Sequence, residues 1–246
     1  MGEQPLTGGN RAAEVVRVGD TVRRSRDEGA DLAARVLTFL ESVGYPYAPR
    51  HLGIDERGRD ILTYIPGVTT DHPGQRAPGA YAIGGRMLRA LHEVTSGHAL
   101  AAGQECVVHG DPGPFNTIFR DGLPVAFIDW SSCGPGAGLG DLAYLAWTWC
   151  IQAQGGVPIE EQALHLRELC DGYGAAVGPE ELLDAVVGRQ SGLAEAERAV
   201  IGDARFTDAR RRHAEAAIDW ATGDRRLVLR HRELLLTALR GRRRSP

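Results

Sequence analysis

The chain has 246 residues, with a hydrophobic content of 43%, a charged content of 24% and a formal net charge of −4 at pH 7. These values are typical of a globular protein with one large domain or two smaller lobes, and they give no basis for binding nucleic acid. We expect no signal peptide at the polar N-terminus and no partnership with a membrane, because the longest apolar run, residues 143–151, is too short to span one.

Two residue types limit the chemistry that the chain can perform. The four cysteines form no C-x-x-C pair, so we expect reduced, mostly buried thiols in a cytoplasmic protein. The chain has no lysine, and all 28 basic residues are arginine. Any role that proteins usually give to lysine must therefore be filled by arginine or left unfilled.

The first 66 residues are expected to form a small sheet with one helix. A hairpin is predicted around Gly19 and Asp20, and a second around residues 56–58. Between them, residues 29–43 have the apolar spacing of a helix that ends at Gly44. Its predicted buried face consists of Leu32, Val36, Phe39, Leu40 and Val43.

The rest of the chain is predicted to be mostly helical, with three short strands. A loop over residues 68–79 leads to an amphipathic helix over residues 80–95. Short strands are expected near residues 106–108, 117–119 and 125–128. From Asp141 onward the pattern is helical, and Trp147 and Trp149 are expected in the core.

Charge is unevenly divided between the C-terminal segments. Residues 151–203 contain ten acids and three arginines, whereas residues 204–246 contain five acids and twelve arginines. We favour ordinary solvated helix faces as the explanation. The alternative is an acidic wall that faces a cationic substrate.

Polar residues follow the short strands at a spacing that suits phosphoryl transfer. The motif V-V-H-G-D-P-G-P-F-N supplies Asp111 and Asn116. The motif V-A-F-I-D-W supplies Asp129, directly before its tryptophan. Mg²⁺ prefers one or two carboxylates with an amide oxygen, phosphates and waters. A carboxylate on the cation is a poor base, so two acids serve two roles. We predict Asp111 as the base for a hydroxyl, with Asn116 and Asp129 on the metal; turn or capping roles are the alternative for each.

The motif H-G-D-x-x-x-x-N, followed by I-D-W and G-x-G-D-L-A, resembles the aminoglycoside phosphotransferase and choline kinase family. These enzymes are small-molecule relatives of the protein kinases, which carry similar motifs at matching places. The stretch R-A-L-H, residues 89–92, resembles the end of a helix in that family. The resemblance extends from about Leu6 to Trp149 and is weakest in the C-terminal helices.

This resemblance implies an α+β, bilobal, protein-kinase-like fold, with a nucleotide-binding lobe at residues 1–66 and a catalytic and substrate-binding lobe at residues 67–246. The implied cofactors are ATP or GTP and Mg²⁺. His109 and Asp141 would support the catalytic loop, although a helix N-cap is the alternative for Asp141; His92 is expected to be a buried structural histidine. The implied nucleotide-binding residues are Gly8 and Gly9 of the phosphate loop, Arg23 or Arg24, and the linker residues Thr63, Tyr64 and Ile65.

The sequence departs from the family pattern in the N-terminal lobe. The family places a lysine on the third strand, paired with a glutamate on the following helix, to hold the ATP phosphates. Here that strand reads T-V-R-R, so Arg23 or Arg24 must replace the lysine, and arginine can bind phosphate bidentately. Glu28, Asp31 and Glu41 lie near the ends of the helix, so its acidic partner is undefined.

Three hypotheses about function are therefore open. The first is a kinase that phosphorylates a hydroxyl of a small molecule, which is an aminoglycoside-like antibiotic, to which it would confer resistance, or a metabolite or natural product. The second is a non-catalytic binding protein, since immunity proteins against peptide toxins also resemble this family. The third is a kinase of serine or threonine hydroxyls in peptides. The sequence leaves the acceptor and the oligomeric state undefined.

Overall fold

An antiparallel five-stranded sheet with one helix forms the N-terminal part of the protein. The computed structural model describes residues 2–6, 15–174, 177–203 and 205–241. The strand order is β1-β2-β3-β5-β4, and both predicted hairpins, β2–β3 and β4–β5, are present. The elements are β1 (Gln4–Pro5), β2 (Val15–Val18), β3 (Thr21–Arg24), α1 (Ala30–Ser42), β4 (His51–Ile54) and β5 (Asp60–Thr63).

Helix α1 lies where its apolar spacing predicts. It buries Val36, Leu37 and Leu40, while the expected core residue Val43 lies just past the helix end and is exposed. The prediction of Val43 as a buried residue was therefore wrong, because the helix ends at Ser42 and the chain turns at Gly44, where φ is +73°. Residues with positive φ favour glycine because it lacks a Cβ.

In the described residues after β5, the fold contains six α-helices and two small ladders. The predicted strands are present, but they form two separate antiparallel pairs, β6–β9 and β7–β8. The elements are α2 (Ala80–Thr95), β6 (Cys106–Val108), β7 (Thr117–Arg120), β8 (Leu123–Phe127), β9 (Gly134–Gly136), α3 (Gly138–Cys150), α4 (Ile159–Tyr173), α5 (Pro179–Gly202), α6 (Asp208–Arg230) and α7 (Arg232–Arg240).

Helix α3 runs through the centre of the C-terminal core. Eleven of its thirteen residues are buried, including Trp147 and Trp149, which confirms their predicted place. The indole N–H of Trp149 donates to the carbonyl of Pro112, at 3.0 Å. Because Pro112 follows Asp111 directly, the core thereby holds one end of the segment that carries the predicted base.

The uneven charge of the C-terminal segments becomes a set of contacts between helices. Glu180, Asp184 and Glu197 of α5 form ion pairs with Arg240, Arg232 and Arg210 of α6 and α7. Each exposed pair contributes little to stability, about 0–1 kcal/mol. The pairing nevertheless gives these acids a structural use and supports helix faces over an acidic wall.

Two expectations about composition can be compared with the structure. All four cysteines are free and buried, as predicted. No helix in the described residues has the length and apolar character needed to cross a membrane.

A buried carboxylate on α6 joins two parts of the core. Asp224 accepts hydrogen bonds from the Trp147 indole N–H at 2.8 Å and from the Ala153 amide at 2.6 Å. Asp224→Ala is expected to lower the free energy of unfolding by about 2–4 kcal/mol, because both donors would remain buried without an acceptor. Urea denaturation measures the change. The matched control is Asp219→Ala, an exposed acid on the same helix, and equal effects of the two variants would contradict the role of Asp224.

Candidate functional site

One buried carboxylate holds the backbone of the H-G-D segment. Asp141 Oδ2 accepts from the His109 amide at 2.6 Å, and its Oδ1 accepts from the Gly110 amide at 2.8 Å. His92 lies 3.3 Å from the same carboxylate through Nε2, and its Nδ1 lies 2.8 Å from the Tyr173 hydroxyl. Asp141 thus connects α2, α3 and the loop after β6.

The structure contradicts the alternative of Asp141 as a helix N-cap. Helix α3 begins at Gly138, three residues before Asp141, and Ala137 is its N-cap. Asp141 lies in the first turn, where a negative charge is also favoured by the helix dipole. Burial acts to raise the pKa of Asp141, but the hydrogen bond from His92 and the neighbouring donors outweigh it, so the pKa lies below its ordinary value.

His109 connects the two motifs that carry the predicted base and metal ligand. Its Nδ1 accepts from the Asp111 amide at 3.3 Å, and its Nε2 donates to the Ile128 carbonyl at 3.1 Å. Burial is the main cause that lowers the pKa of His109, which favours the neutral form of the ring. A neutral ring has one donor and one acceptor, which matches these two partners.

Asn116 lies directly before β7, beside the base segment. Its Nδ2 donates to the Asp111 carbonyl at 3.1 Å, and its backbone carbonyl accepts from the Ile128 amide at 2.8 Å. Asn116 is buried, and Asp111 is partly buried. The hydrogen bond of Nδ2 orients the amide group, so that Oδ1 is the side-chain atom that can serve as a ligand.

Asp129 stands in a left-handed backbone conformation directly after β8, with φ at +59°. Aspartate tolerates this region better than most residues. Its Oδ1 accepts from the Ser131 hydroxyl at 2.8 Å and lies 2.7 Å from Arg24 Nη2. Burial acts to raise the pKa of Asp129, but the charge of Arg24 and the hydrogen bonds outweigh it and lower the pKa overall.

The two arginines of β3 point to different places. Arg24 reaches Asp129 and also lies 3.8 Å from Asp27, just before α1. Arg23 faces the other side of the sheet, where its Nε lies 3.7 Å from Asp55. Alternation along a strand explains the difference, and it brings Arg24 alone to the predicted metal ligand.

The acids near α1 have partners other than Arg24. Asp31 pairs with Arg26, which also contacts Asp60, and Glu41 lies 3.4 Å from Arg50. In the described residues, Arg24 therefore has its ion pairs with Asp27 and Asp129 and with no acid on α1.

The linker after β5 is partly used by the sheet itself. The Thr63 amide donates to the Arg50 carbonyl, the Tyr64 amide donates to the Asp20 carbonyl, and the Arg17 guanidinium lies 3.7 Å from the Tyr64 ring centroid. Of the three predicted linker residues, Ile65 has an amide that is not engaged in these sheet contacts. The predicted phosphate-loop residues Gly8 and Gly9 lie outside the described residues.

Two residues beside the base are absent from the sequence predictions. Tyr144 of α3 is buried near Asp111, and burial first, then the charge of Asp111, raises its pKa. Arg189 of α5 lies 4.8 Å over the Tyr144 ring, and its Nη2 donates to the Gly110 carbonyl at 3.1 Å. Neither residue belongs to a local motif, and the one signal for Arg189 is its positive charge within an acidic segment.

The acids of the site do not form a metal centre made of protein ligands alone. Across the described part of the chain, no three His, Cys, Asp or Glu side chains cluster as a metal site. The oxygens of Asn116 and Asp129 are instead a sparse set of hard ligands. Such a set is typical of Mg²⁺, which retains waters and takes further ligands from substrate phosphates.

The chain is similar in sequence to known proteins. A model described as the phosphotransferase enzyme family matches residues 95–176. A trifolitoxin immunity protein from Rhizobium leguminosarum bv. trifolii is 35% identical over 195 residues, which are 69% of this chain and 73% of that protein.

Two solved structures share the fold. A choline/ethanolamine kinase family protein from Mesorhizobium loti has a TM-score of 0.60 at 18% identity, over 98% of this chain and 93% of its own. An aminoglycoside phosphotransferase from Streptomyces rimosus, in complex with ADP and streptomycin, has a TM-score of 0.57 at 16% identity, over 75% and 90% of the two chains. The kinase-like fold predicted from the sequence is confirmed.

Asp141→Asn tests the clamp, by which we mean the two hydrogen bonds from the His109 and Gly110 amides to the Asp141 carboxylate. We expect the free energy of unfolding to fall by about 1–3 kcal/mol at pH 7, because one backbone amide would face an NH₂ group instead of an acceptor. A carboxyl whose pKa falls on folding stabilises the fold above its unfolded pKa, about 3.9, and loses that contribution as the pH drops through the folded pKa. The difference in free energy of unfolding between wild type and variant, measured by urea denaturation, should therefore be smaller at pH 3 than at pH 7. The control is Asp71→Asn, an exposed acid, and a difference that does not change with pH would contradict the clamp.

Proposed function

Because the chain belongs to the phosphotransferase enzyme family, we propose that it transfers the γ-phosphate of ATP, with Mg²⁺, to a hydroxyl of a small molecule. The carrying observation is that His109 hydrogen-bonds both the Asp111 segment and the segment leading to Asp129. The proposed cleft lies between a lobe of residues 1–66 and a lobe of residues 67–246. The ADP and streptomycin bound by the Streptomyces rimosus enzyme support nucleotide and small-molecule ligands for this chain.

The donor chemistry of the site fits a magnesium ion. Asn116 Oδ1 and Asp129 would hold it. Ser131 and Arg24 both contact Oδ1 of Asp129, so Oδ2 is the oxygen we assign to the cation. When bound, the ion would neutralise charge on the phosphates of the nucleotide.

The residues of the chain perform the remaining steps. Asp111 orients the acceptor hydroxyl and accepts its proton as the acceptor oxygen bonds to the γ-phosphorus. The bond between the γ-phosphorus and the bridging oxygen breaks, and its electron pair leaves with ADP. His109 and Asp141 take no proton in this scheme and act by holding the loop at a fixed distance from the nucleotide.

Arg24 is proposed to take the place of the absent lysine. Its guanidinium lies beside Asp129, so a nucleotide bound between them would place its phosphates within reach of the cation. In this proposal Arg24 exchanges part of its contact with Asp129 for contact with the phosphates. Gly8, Gly9 and the linker residues Thr63, Tyr64 and Ile65 complete the proposed nucleotide site.

An immunity function without catalysis is the second candidate. The 35% identity with the trifolitoxin immunity protein favours it, and so does the ion pair between Arg24 and Asp129. A protein that only sequesters a toxin would require the fold and its surface, but neither a base nor a metal ligand.

The exchange of Arg24 for glutamine tests the nucleotide site. In wild type, Mg–ATP at about 100 times its dissociation constant should stabilise the protein by about 2.7 kcal/mol, a rise of about 5–10 °C in melting temperature. We expect Arg24→Gln and Asp129→Ala to lose most of this rise. Arg23→Gln is the matched control, because Arg23 lies on the same strand but faces Asp55. A full rise in Arg24→Gln, or none in wild type, would contradict the proposal.

The exchange of Asp111 for asparagine separates catalysis from sequestration. If the base is required, Asp111→Asn should lower the rate of phosphoryl transfer by about 10²–10⁴-fold while Mg–ATP binding persists. Protection of cells against a toxin or antibiotic should disappear with the activity. Full protection by Asp111→Asn would instead support the immunity function, and loss of the thermal transition in the variant would be resolved by Asp111→Glu.

A further inference from the structure

A cation from the C-terminal helices lies beside the proposed base. Arg189 of α5 donates to the carbonyl of Gly110, the residue immediately before Asp111. Arg24 approaches the site from the N-terminal sheet, whereas Arg189 approaches from the helical part of the chain. Since the proposed nucleotide lies toward the sheet, Arg189 stands on the side that remains for the acceptor.

The guanidinium of Arg189 is held in place by an aromatic ring and a backbone carbonyl. The Tyr144 ring lies 4.8 Å beneath it, and the Gly110 carbonyl takes one of its five N–H donors. The side chain of Arg189 is exposed. A guanidinium held in this way beside the proposed base is suited to bind an anion.

Three of the five acids of the same helix are engaged elsewhere. Glu180, Asp184 and Glu197 of α5 are each paired with an arginine of α6 or α7. A cationic acceptor would therefore meet Arg189 at the base without the acidic lining that would favour it. An acceptor with an anionic group would bind more tightly because of the same charge.

We propose that Arg189 is the specificity-determining residue of the acceptor site and binds a carboxylate of the acceptor while Asp111 receives the hydroxyl proton. The substrate class is thus hydroxyl compounds that also carry a carboxylate. The planar guanidinium, fixed over Tyr144, presents paired N–H donors that match the two oxygens of a carboxylate. This inference rests on the proposed phosphotransferase function.

Matched acceptor pairs test the inference. The probes are glycolate against glycolamide and N-acetyl-serine against N-acetyl-serine amide, with choline and streptomycin as cationic hydroxyl compounds. ADP release above the acceptor-free rate gives kcat/KM for each probe with Mg–ATP. The variants are Arg189→Gln, Arg189→Lys and the control Arg232→Gln, which removes an arginine paired with Asp184 of the same helix.

We expect wild type to prefer each carboxylate over its amide by about tenfold or more, the effect of one charge-assisted hydrogen-bonded pair. Arg189→Gln should reduce that ratio to about one, through a higher KM for the carboxylates, because the polar amide of glutamine carries no charge. Arg189→Lys should retain part of the ratio, and Arg232→Gln should retain all of it. The ratio compares two probes on one variant, so a partial loss of folding cancels.

Several results would overturn the inference. Preference for the amides or cations, no turnover of any carboxylate probe while Mg–ATP binds, or an unchanged ratio in Arg189→Gln would each do so. An equal fall in kcat for all probes in Arg189→Gln would make Arg189 a support of the loop and would also overturn it. Absence of Mg–ATP binding in wild type would mark the failure of the proposed function itself.

Discussion

The site depends on the buried carboxylate of Asp141. An isolated charge in a core is costly, and it is tolerated where several donors surround it. Here the donors are the amides of His109 and Gly110 together with the His92 ring. Because two consecutive backbone amides are held by one rigid helix, the direction in which the chain continues toward Asp111 is fixed before any ligand binds. Preorganisation of this kind is what positions a base for proton transfer.

The second constraint is the shape of the segment after the clamp. Gly110 has a φ of +84°, and a Cβ at that position would lie 2.3 Å from the Ser132 carbonyl. The residue before the base must therefore be glycine on two grounds, its backbone conformation and the close approach of the turn that follows Asp129. The same close approach brings the base segment and the Asp129 segment together, and His109 closes the arrangement with its two hydrogen bonds. The spacing of the H-G-D motif is thus a consequence of packing as much as of chemistry.

The sequence predicted those features that local spacing controls. Helix α2 was predicted over the residues at which it is observed, and the short strands next to Asn116 and Asp129 were found because apolar runs end at polar residues. The start of α3 was missed, because a glycine-rich G-A-G-L-G segment carries no recognisable helix signal although Gly138 and Gly140 lie inside the helix. The choice between Arg23 and Arg24 needed the strand's register against β5, and the contact of Arg189 with Gly110 joins residues 79 positions apart. Neither can be deduced from a local pattern.

The absence of lysine gives the two cationic positions of the site a common physical basis. A guanidinium keeps its charge in any environment found in a folded protein, so neither Arg24 nor Arg189 can become neutral when buried by a ligand. Each must instead exchange one anion or acceptor for another: Arg24 its contact with Asp129, and Arg189 its contact with the Gly110 carbonyl. The exchange costs Arg24 an ion pair but costs Arg189 one hydrogen bond to a neutral carbonyl. Arg189 is therefore more readily available to a ligand than Arg24. Changes in the helical part of the chain can alter discrimination among acceptors without disturbing the hydrogen bonds of Asp141.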